Sequence, residues 1–514
     1  MSELRKNSFS KMTGNSPLGG ACLLIIAATG WLLAGCAVGP NFYRPAAPMV
    51  SDYAEPPLTN TVATTNSIGG EAQHFTKVGD LAGDWWTLFH SAPLNELIEL
   101  ALTNNPDLQG AQAALKVARE NVLAQRGVYY PTVAASFSAS RAKASELLAP
   151  VPNYPTTPQE FQYNLFTPQV SVSYSPDIFG LNRRTMESVK AQEQNVRFQM
   201  IAAYTTLTAN VVVTAIQSAA VQAQIDATRQ LVDLNSNMVE ILRYQYTKGY
   251  AGRLDVVAQE SQLAQINATL PPLLKQAAQL RDLLAVLAGR FPNHSPAEKL
   301  ELASLQLPVE IPVSLPSQLV AQRPDVLQAE ANLHAASAQI GIAIANRLPN
   351  ITLTADAGST ALSLDKVFSS GTGFWGLGSA AAAPIFQGGQ LLHQERAAKA
   401  AFTQAAEQYR STVLTAFQNV ADTLAALEQD AEGLKAAAIA ADDAQEILDL
   451  SQRQWKDGYI SYLALLSAEQ AYQQARINLV QAQANRYADT AALFQALGGG
   501  WWHRADLTKD KNEK

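Results

Sequence analysis

The stretch Tyr130-Pro131-Thr132-Val133-Ala134-Ala135-Ser136-Phe137-Ser138-Ala139-Ser140 changes period at its proline, and that change decides the fold. Upstream, Leu97, Leu100, Ala101, Leu108, Ala111 and Leu115 recur at helical spacing, within a run that could form one helix of about ten turns. Pro131 stops it, because proline donates no backbone hydrogen bond and biases the residue before it towards extended geometry. Downstream, Val133, Ala135, Phe137 and Ala139 alternate with small or polar neighbours, the period of a strand. After a Pro/Tyr-rich loop, Val170, Val172 and Tyr174 alternate with Gln169, Ser171, Ser173 and Ser175.

The same order of signals returns later in the chain. Asn105-Pro106-Asp107-Leu108, which opens the first helical stretch, is matched by Arg323-Pro324-Asp325-Val326. Its closing Tyr130-Pro131 is matched by Leu348-Pro349, so both proline pairs are 25 residues apart. Ser175-Pro176-Asp177-Ile178-Phe179-Gly180 matches Ala383-Pro384-Ile385-Phe386-Gln387-Gly388. Tyr246-Thr247-Lys248-Gly249, with Leu254, Val256 and Glu260, matches Trp455-Lys456-Asp457-Gly458, with Leu463, Leu465 and Glu469. The offset drifts only from 218 to 208 or 209, so the chain is two copies of one unit. In the second copy Ile351, Leu353, Ala355 and Ala357 alternate with Thr352, Thr354, Asp356 and Gly358, and a Gly/Ala-rich fourth strand follows around Phe374 to Pro384.

Between strands and turns lie two proline-free runs, Leu181 to about Tyr246 and Gln390 to about Trp455. At 1.5 Å per residue each gives a helix of about 100 Å. Such a helix has to lie beside others, as a coiled coil or a stacked cylinder. Returning helices, roughly Leu254 to Leu287 and Leu463 to Leu497, run antiparallel after the glycine turns.

A net charge of −7 argues against nucleic acid as a partner. Past the N-terminus, no stretch reads as a membrane-spanning helix, so any crossing of a bilayer is expected from strands. Arg5, Lys6 and Lys11 precede an apolar run, Leu18 to Leu33, that ends in Leu33-Ala34-Gly35-Cys36. This resembles a lipoprotein signal: removal of residues 1–35 would leave Cys36 first and carrying acyl chains, which together give stable anchoring. Ala37, rather than an aspartate, then implies export to the outer membrane. With Cys22 removed, one cysteine remains, which excludes an intrachain disulfide and argues against a zinc-type cluster.

Four strands cannot close a barrel, and an open sheet edge in lipid leaves unpaired backbone groups costing several kcal/mol each. Other copies of the chain must pair the edges: two would give eight strands, three would give twelve and leave a water path. Strand counting leaves both open.

Cys36-Ala37-Val38-Gly39-Pro40-Asn41-Phe42-Tyr43-Arg44-Pro45, Trp85-Trp86-Thr87-Leu88-Phe89 before Pro93-Leu94, and the paired motifs above closely resemble TolC-like outer-membrane efflux lipoproteins of the OprM/NodT type. The resemblance spans roughly Cys36 to Gly500. It implies an α+β membrane protein of internally duplicated long helical hairpins with four strands per chain. Three copies would form a twelve-stranded β-barrel continued by a periplasmic α-helical barrel. The implied organisation is a lipid-anchored segment and equatorial belt (36–90), a first repeat (91–290), an equatorial connection (291–316), a second repeat (317–497) and a polar tail (498–514). Expected partners are an inner-membrane RND-type transporter, a periplasmic membrane-fusion adaptor and outer-membrane lipid. Pro150 to Pro158 would be an extracellular loop.

The chemistry to seek in a conduit is anchoring, gating and docking. No His-Glu-x-x-His, phosphate-cradling Gly-x-x-x-x-Gly-Lys or Gly-x-Ser-x-Gly occurs, so neither catalytic residues, a metal nor a cofactor beyond the lipid on Cys36 is expected. Tyr246, Gly249, Arg253 and Asp255 look like the family's helix-tip motif, with Asp255 a candidate gate carboxylate or, equally simply, a residue at a helix start. In the second turn Trp455, Gly458, Tyr459 and Tyr462 lack the aspartate common in relatives. A tyrosine constriction is expected there, Tyr459 or Tyr462 lining it unless they pack against a neighbouring helix. Asp356 is expected to face the barrel lumen. The Gly498-Gly499-Gly500 run reads as a helix terminator.

The function implied is the passive exit duct of a tripartite pump for drugs, toxic compounds or metals. Two alternatives remain: the channel of a type I protein secretion system, or a lipid-anchored periplasmic coiled-coil adaptor. The adaptor leaves the paired strands without a purpose.

Overall fold

The computed structural model describes residues 37–77, 79–144, 161–294 and 300–508. In chain order the elements are β1 (His74–Thr76), α1 (Ala92–Asn104), α2 (Pro106–Arg126), β2 (Thr132–Ala144), β3 (Phe161–Tyr174), α3 (Leu181–Thr247) and α4 (Arg253–Leu287). They continue as β4 (Glu310–Pro312), α5 (Pro316–Gln322), α6 (Pro324–Ala345), β5 (Asn350–Ser359), β6 (Gly373–Ala382), α7 (Gln390–Lys456), α8 (Tyr462–Ala496) and α9 (Ala505–Thr508). The duplication holds residue for residue in the hairpins. Helices α3 and α7 are each 67 residues long, and α4 and α8 are each 35.

Two expectations need correction. The ten-turn helix is broken at Asn105, which adopts φ −64° and ψ 121° because Pro106 follows it. Its side-chain Oδ1 then accepts from the N–H groups of Asp107 and Leu108, both at 3.0 Å, and starts α2. Arg323, before Pro324, breaks the second copy in the same way at φ −73° and ψ 125°. Helix α3 also contains an 18-residue window of mean hydropathy 1.3, apolar enough on its own to cross a membrane. Two-thirds of that window (67%) is buried inside the protein, so its apolar character serves a core.

The chain divides into two compact units. The first holds residues up to Phe42, Asn121–Lys190 and His334–Thr403. It contains an antiparallel sheet in the order β2-β3-β5-β6. Ala135, Val170, Ala357 and Trp375 form one cross-strand row, and Val133, Val172, Ala355 and Leu377 another. The rows between are polar or small: Ala134, Ser171, Asp356 and Gly376, then Thr132, Ser173, Thr354 and Gly378. The apolar face lies bare, with Val133 70% exposed and Trp375 and Leu377 each 78%. A half-buried sheet of a water-soluble fold would cover that face; a lipid-facing barrel wall leaves it bare within one chain. Among the described residues, β2 and β6 have no strand partner on their outer edges.

The second unit holds Tyr43–Glu120, Ala191–Leu333 and everything from Gln404 onward. Its centre is the tryptophan motif: Trp85 and Phe89 are fully buried, with Trp85 5.4 Å from the ring of Phe494. Strand β1 pairs in parallel with β4, tying the N-terminal segment to the connection between repeats. The glycine run does more than end α8. A Cβ at Gly500 would stand 2.1 Å from the Ala82 carbonyl oxygen, so the run also permits a close backbone crossing.

Candidate gate at the hairpin tips

Both hairpins turn by the same device. Gly249 and Gly458 sit at φ 81° and 78°. The N–H groups of Tyr250 and Tyr459 reach back to the carbonyls of Gln245 and Gln454, at 2.9 and 2.8 Å. This left-handed cap satisfies the last carbonyls of each long helix, and a glycine adopts it at no steric cost. The two tips then share one core, built from Leu242, Val256, Leu448, Tyr462, Leu465 and Ala468. Trp455 packs edge-on against Tyr462, ring centroids 6.0 Å apart.

The polar finish differs. In the first tip, Asp255 Oδ2 accepts from the Gly252 N–H at 3.0 Å, which places it as the carboxylate cap of α4. Arg253 is exposed beside it. Arg243 donates two hydrogen bonds to Glu260 Oε1, at 2.9 and 2.7 Å. In the second tip, Ser461 stands at the N-cap of α8 without a side-chain cap bond.

The tyrosines separate. Tyr459 is 81% exposed, and Tyr246 is also exposed. Tyr462 departs from the constriction expected of it, because its ring is an apolar wedge in the tip core at 5% exposure. Its hydroxyl has no hydrogen-bond partner among the described residues, and burial pushes the phenol pKa up. Exposed Tyr250, next to Gly249, was not singled out from the sequence.

Three further polar groups went unmarked as functional. Gln259 and Asn235 are fully buried, and Gln259 Nε2 donates to Asn235 Oδ1 at 2.7 Å. Glu469, known from the sequence only as the repeat counterpart of Glu260, is 8% exposed. Burial pushes its carboxyl up to about 7, partly opposed by a hydrogen bond from Gln259. The available signal was a charged residue four positions after Leu465 on an apolar helix face. Elsewhere in this unit Asp430 is also raised to about 7, by burial and by a hydrogen bond shared with Asp489.

In the sheet unit, Asp356 lies on the polar face and accepts from Gln169 Nε2 at 3.0 Å. Cys36 and the loop Pro150 to Pro158 lie outside the described residues. The residues just after Cys36 are firmly held. Arg184 donates to the carbonyls of Val38 and Gly39 and to Asn41 Oδ1, at 3.0, 3.2 and 2.9 Å. Gly39, at φ 91°, lies so close to Gly341 that a Cβ would approach its Cα to 2.5 Å.

Comparison with known proteins adds to this geometry. The profile of the outer membrane efflux protein family matches residues 97–290 and 315–499. The toluene efflux pump outer membrane protein TtgF of Pseudomonas putida is 30% identical over 91% of this chain and 95% of its own length. The pyoverdine export outer membrane protein OpmQ of the same species is 29% identical over 81% of this chain and 88% of its own. The open state of the Neisseria gonorrhoeae MtrE outer membrane channel superposes with a TM-score of 0.76 at 25% identity, covering 91% of this chain and 99% of MtrE.

Proposed function

Because the chain belongs to the outer membrane efflux protein family, as an outer-membrane channel, we propose that three copies close one twelve-stranded barrel and its helical tunnel. The duct would carry small molecules, drawing them from an inner-membrane RND-type transporter through a periplasmic adaptor. The observation that carries the reading is the four-stranded sheet, bare on its apolar face and unpaired at both edges among the described residues. In hydrocarbon those edges need partners, and three copies supply twelve strands around a wet interior. The toluene and pyoverdine exporters among its relatives favour small molecules over secreted protein as cargo. Passage is passive, with the energy coming from the inner-membrane pump.

Acyl chains on Cys36 complete the proposal, since the Arg184 clamp holds the residues just after it beside the strand exit at Phe179. The native mass of the detergent-purified protein tests the assembly. Three chains are expected; a stable monomer would overturn it. Mild crosslinking in cells followed by co-purification tests the partners, with recovery of an RND-type pump expected and recovery of an ABC exporter moving the cargo to protein.

A further inference from the structure

Glu469 lies on α8 within the packed part of the second tip, and its Oε2 has no hydrogen-bond partner among the described residues. Neither has Oε1 of Gln259, its hydrogen-bonding neighbour on α4. Both orphan atoms are acceptors while the glutamate is ionised. A carboxylic acid supplies the missing donor: its O–H can bond to Gln259 Oε1 and satisfy both atoms at once. Gln259 is already tied to Asn235 on α3, whose Nδ2 donates to the Leu231 carbonyl at 2.8 Å. A protonated Glu469 therefore adds a second hydrogen bond to the one it accepts from Gln259, reinforcing a chain that runs from α8 through α4 to α3.

Among the described residues no cation pairs with Glu469; burial and the Gln259 hydrogen bond are what act on it. Within about two turns of Asn235, Gln259 and Glu469 along their helices, the ionisable side chains are Arg229, Asp233, Glu240 and Arg243 on α3, Arg253, Asp255 and Glu260 on α4, and Tyr462, Tyr472 and Arg476 on α8; the last turns of α7 add Glu446, Asp449, Arg453 and Lys456. Arg243 is engaged with Glu260, and the Arg453 Nε donates to the Asp449 carbonyl at 3.1 Å. None of these groups bonds to Glu469. The repeat explains the gap: at the 209-residue offset, the counterpart of Arg243 is Gln452.

We propose that Glu469 is a proton-operated latch of the channel end: neutral, it holds the two hairpin tips packed through Gln259 and Asn235, and ionised it releases them. The release is a step towards opening only if the chain is a channel, so that part rests on the function proposed above. The direction with pH follows from the two states. Burial pushes the packed carboxyl up to about 7 from an ordinary value of 4.5. Below about 4.5 both states are protonated and packing is at full strength. Between the two values the released state has already given up its proton, so the opening equilibrium rises about tenfold per pH unit. Above about 7 it levels off.

The test uses the full-length lipidated protein, comparing wild type with Glu469→Gln between about pH 5 and about pH 8. Hydrogen exchange in the first turns of α4 and α8, corrected for the intrinsic rate, reads the latch. Bilayer conductance on the same preparation reads the channel. Wild-type tip exchange should rise about tenfold or more over that range, and Glu469→Gln should stay protected throughout. A flat wild type, or a variant with the wild-type slope, overturns the latch. Should Glu469→Gln fail to fold, Gln452→Arg replaces it: a restored cation should flatten the response, and an unchanged slope again overturns the proposal. A conducting protein with pH-independent exchange sinks the latch alone. A pH-responsive tip in a protein that never conducts sinks the duct alone.

Discussion

The two hairpin tips turn through matching glycines and bury matching residues, Val256 in the first and Leu465 in the second. The first is finished with charge: Asp255 caps its returning helix, and Arg243 and Glu260 pair on its surface. The second has an uncapped start at Ser461, a buried tyrosine hydroxyl and a buried glutamate without a cation. A duplicated backbone needs matched turns and matched apolar positions, because an error in either costs several kcal/mol. Caps and exposed ion pairs contribute about 1 kcal/mol or less, so the polar finish is free to differ between copies. The difference leaves the first tip's charges paired at its surface and places in the second a buried carboxyl that burial pushes up to about 7.

The shared core should show the largest effect. Leu465→Ala removes a fully buried side chain on which both hairpins pack, and a loss of about 2–5 kcal/mol in local stability is expected. Hydrogen exchange should show both tips loosening together; loosening confined to the second would mean that they are not one core. The next effect separates them. Asp255→Ala should cost about 1 kcal/mol by freeing the α4 start, while Ser461→Ala should cost almost nothing. Thermal unfolding of the two variants side by side checks the contrast, and equal losses would break it.

Much of this plan was legible in the sequence because it rests on local chemistry. Proline, glycine and the change of period marked strands and turns, and the long helices end within a residue of where Tyr246 and Trp455 place them. The break at Asn105 was equally local, but the apolar period running through it from Leu97 to Leu115 disguised it. The direction of Tyr462 was not legible. A tyrosine in the first turn of a helix can line a pore or fill a core, and the choice depends on where α3 and α7 lie. Glu469 was hidden for the same reason: its environment is made by Gln259, 210 residues earlier in the chain. Nor could strand counting choose a number of copies, since that number belongs to the assembly.

Tyr462 offers a sharper test because it removes a cost. Its hydroxyl is buried without a partner, so Tyr462→Phe keeps the ring against Trp455 and discards an unsatisfied group. A gain of about 1 kcal/mol is expected, read as slower exchange at the second tip. A loss would show that the hydroxyl is bonded, and the second tip would then be less bare than it looks.

The smallest effect concerns the ion pair that the second tip lacks. The Arg243 and Glu260 side chains are 63% and 36% exposed, so solvent screens their attraction despite the 2.7 Å contact. Arg243→Gln reproduces the second repeat's residue in the first and should cost about 0.5 kcal/mol or less, fading further in high salt. Glu469 and its surroundings are untouched in that variant, so tip exchange between about pH 5 and about pH 8 should keep the wild-type dependence. That outcome would locate the sensitivity of the second tip in the burial of Glu469, with the missing arginine only leaving the charged form uncompensated. If Arg243→Gln alone steepened that dependence, the absent cation would be the cause, and burial would be the lesser term.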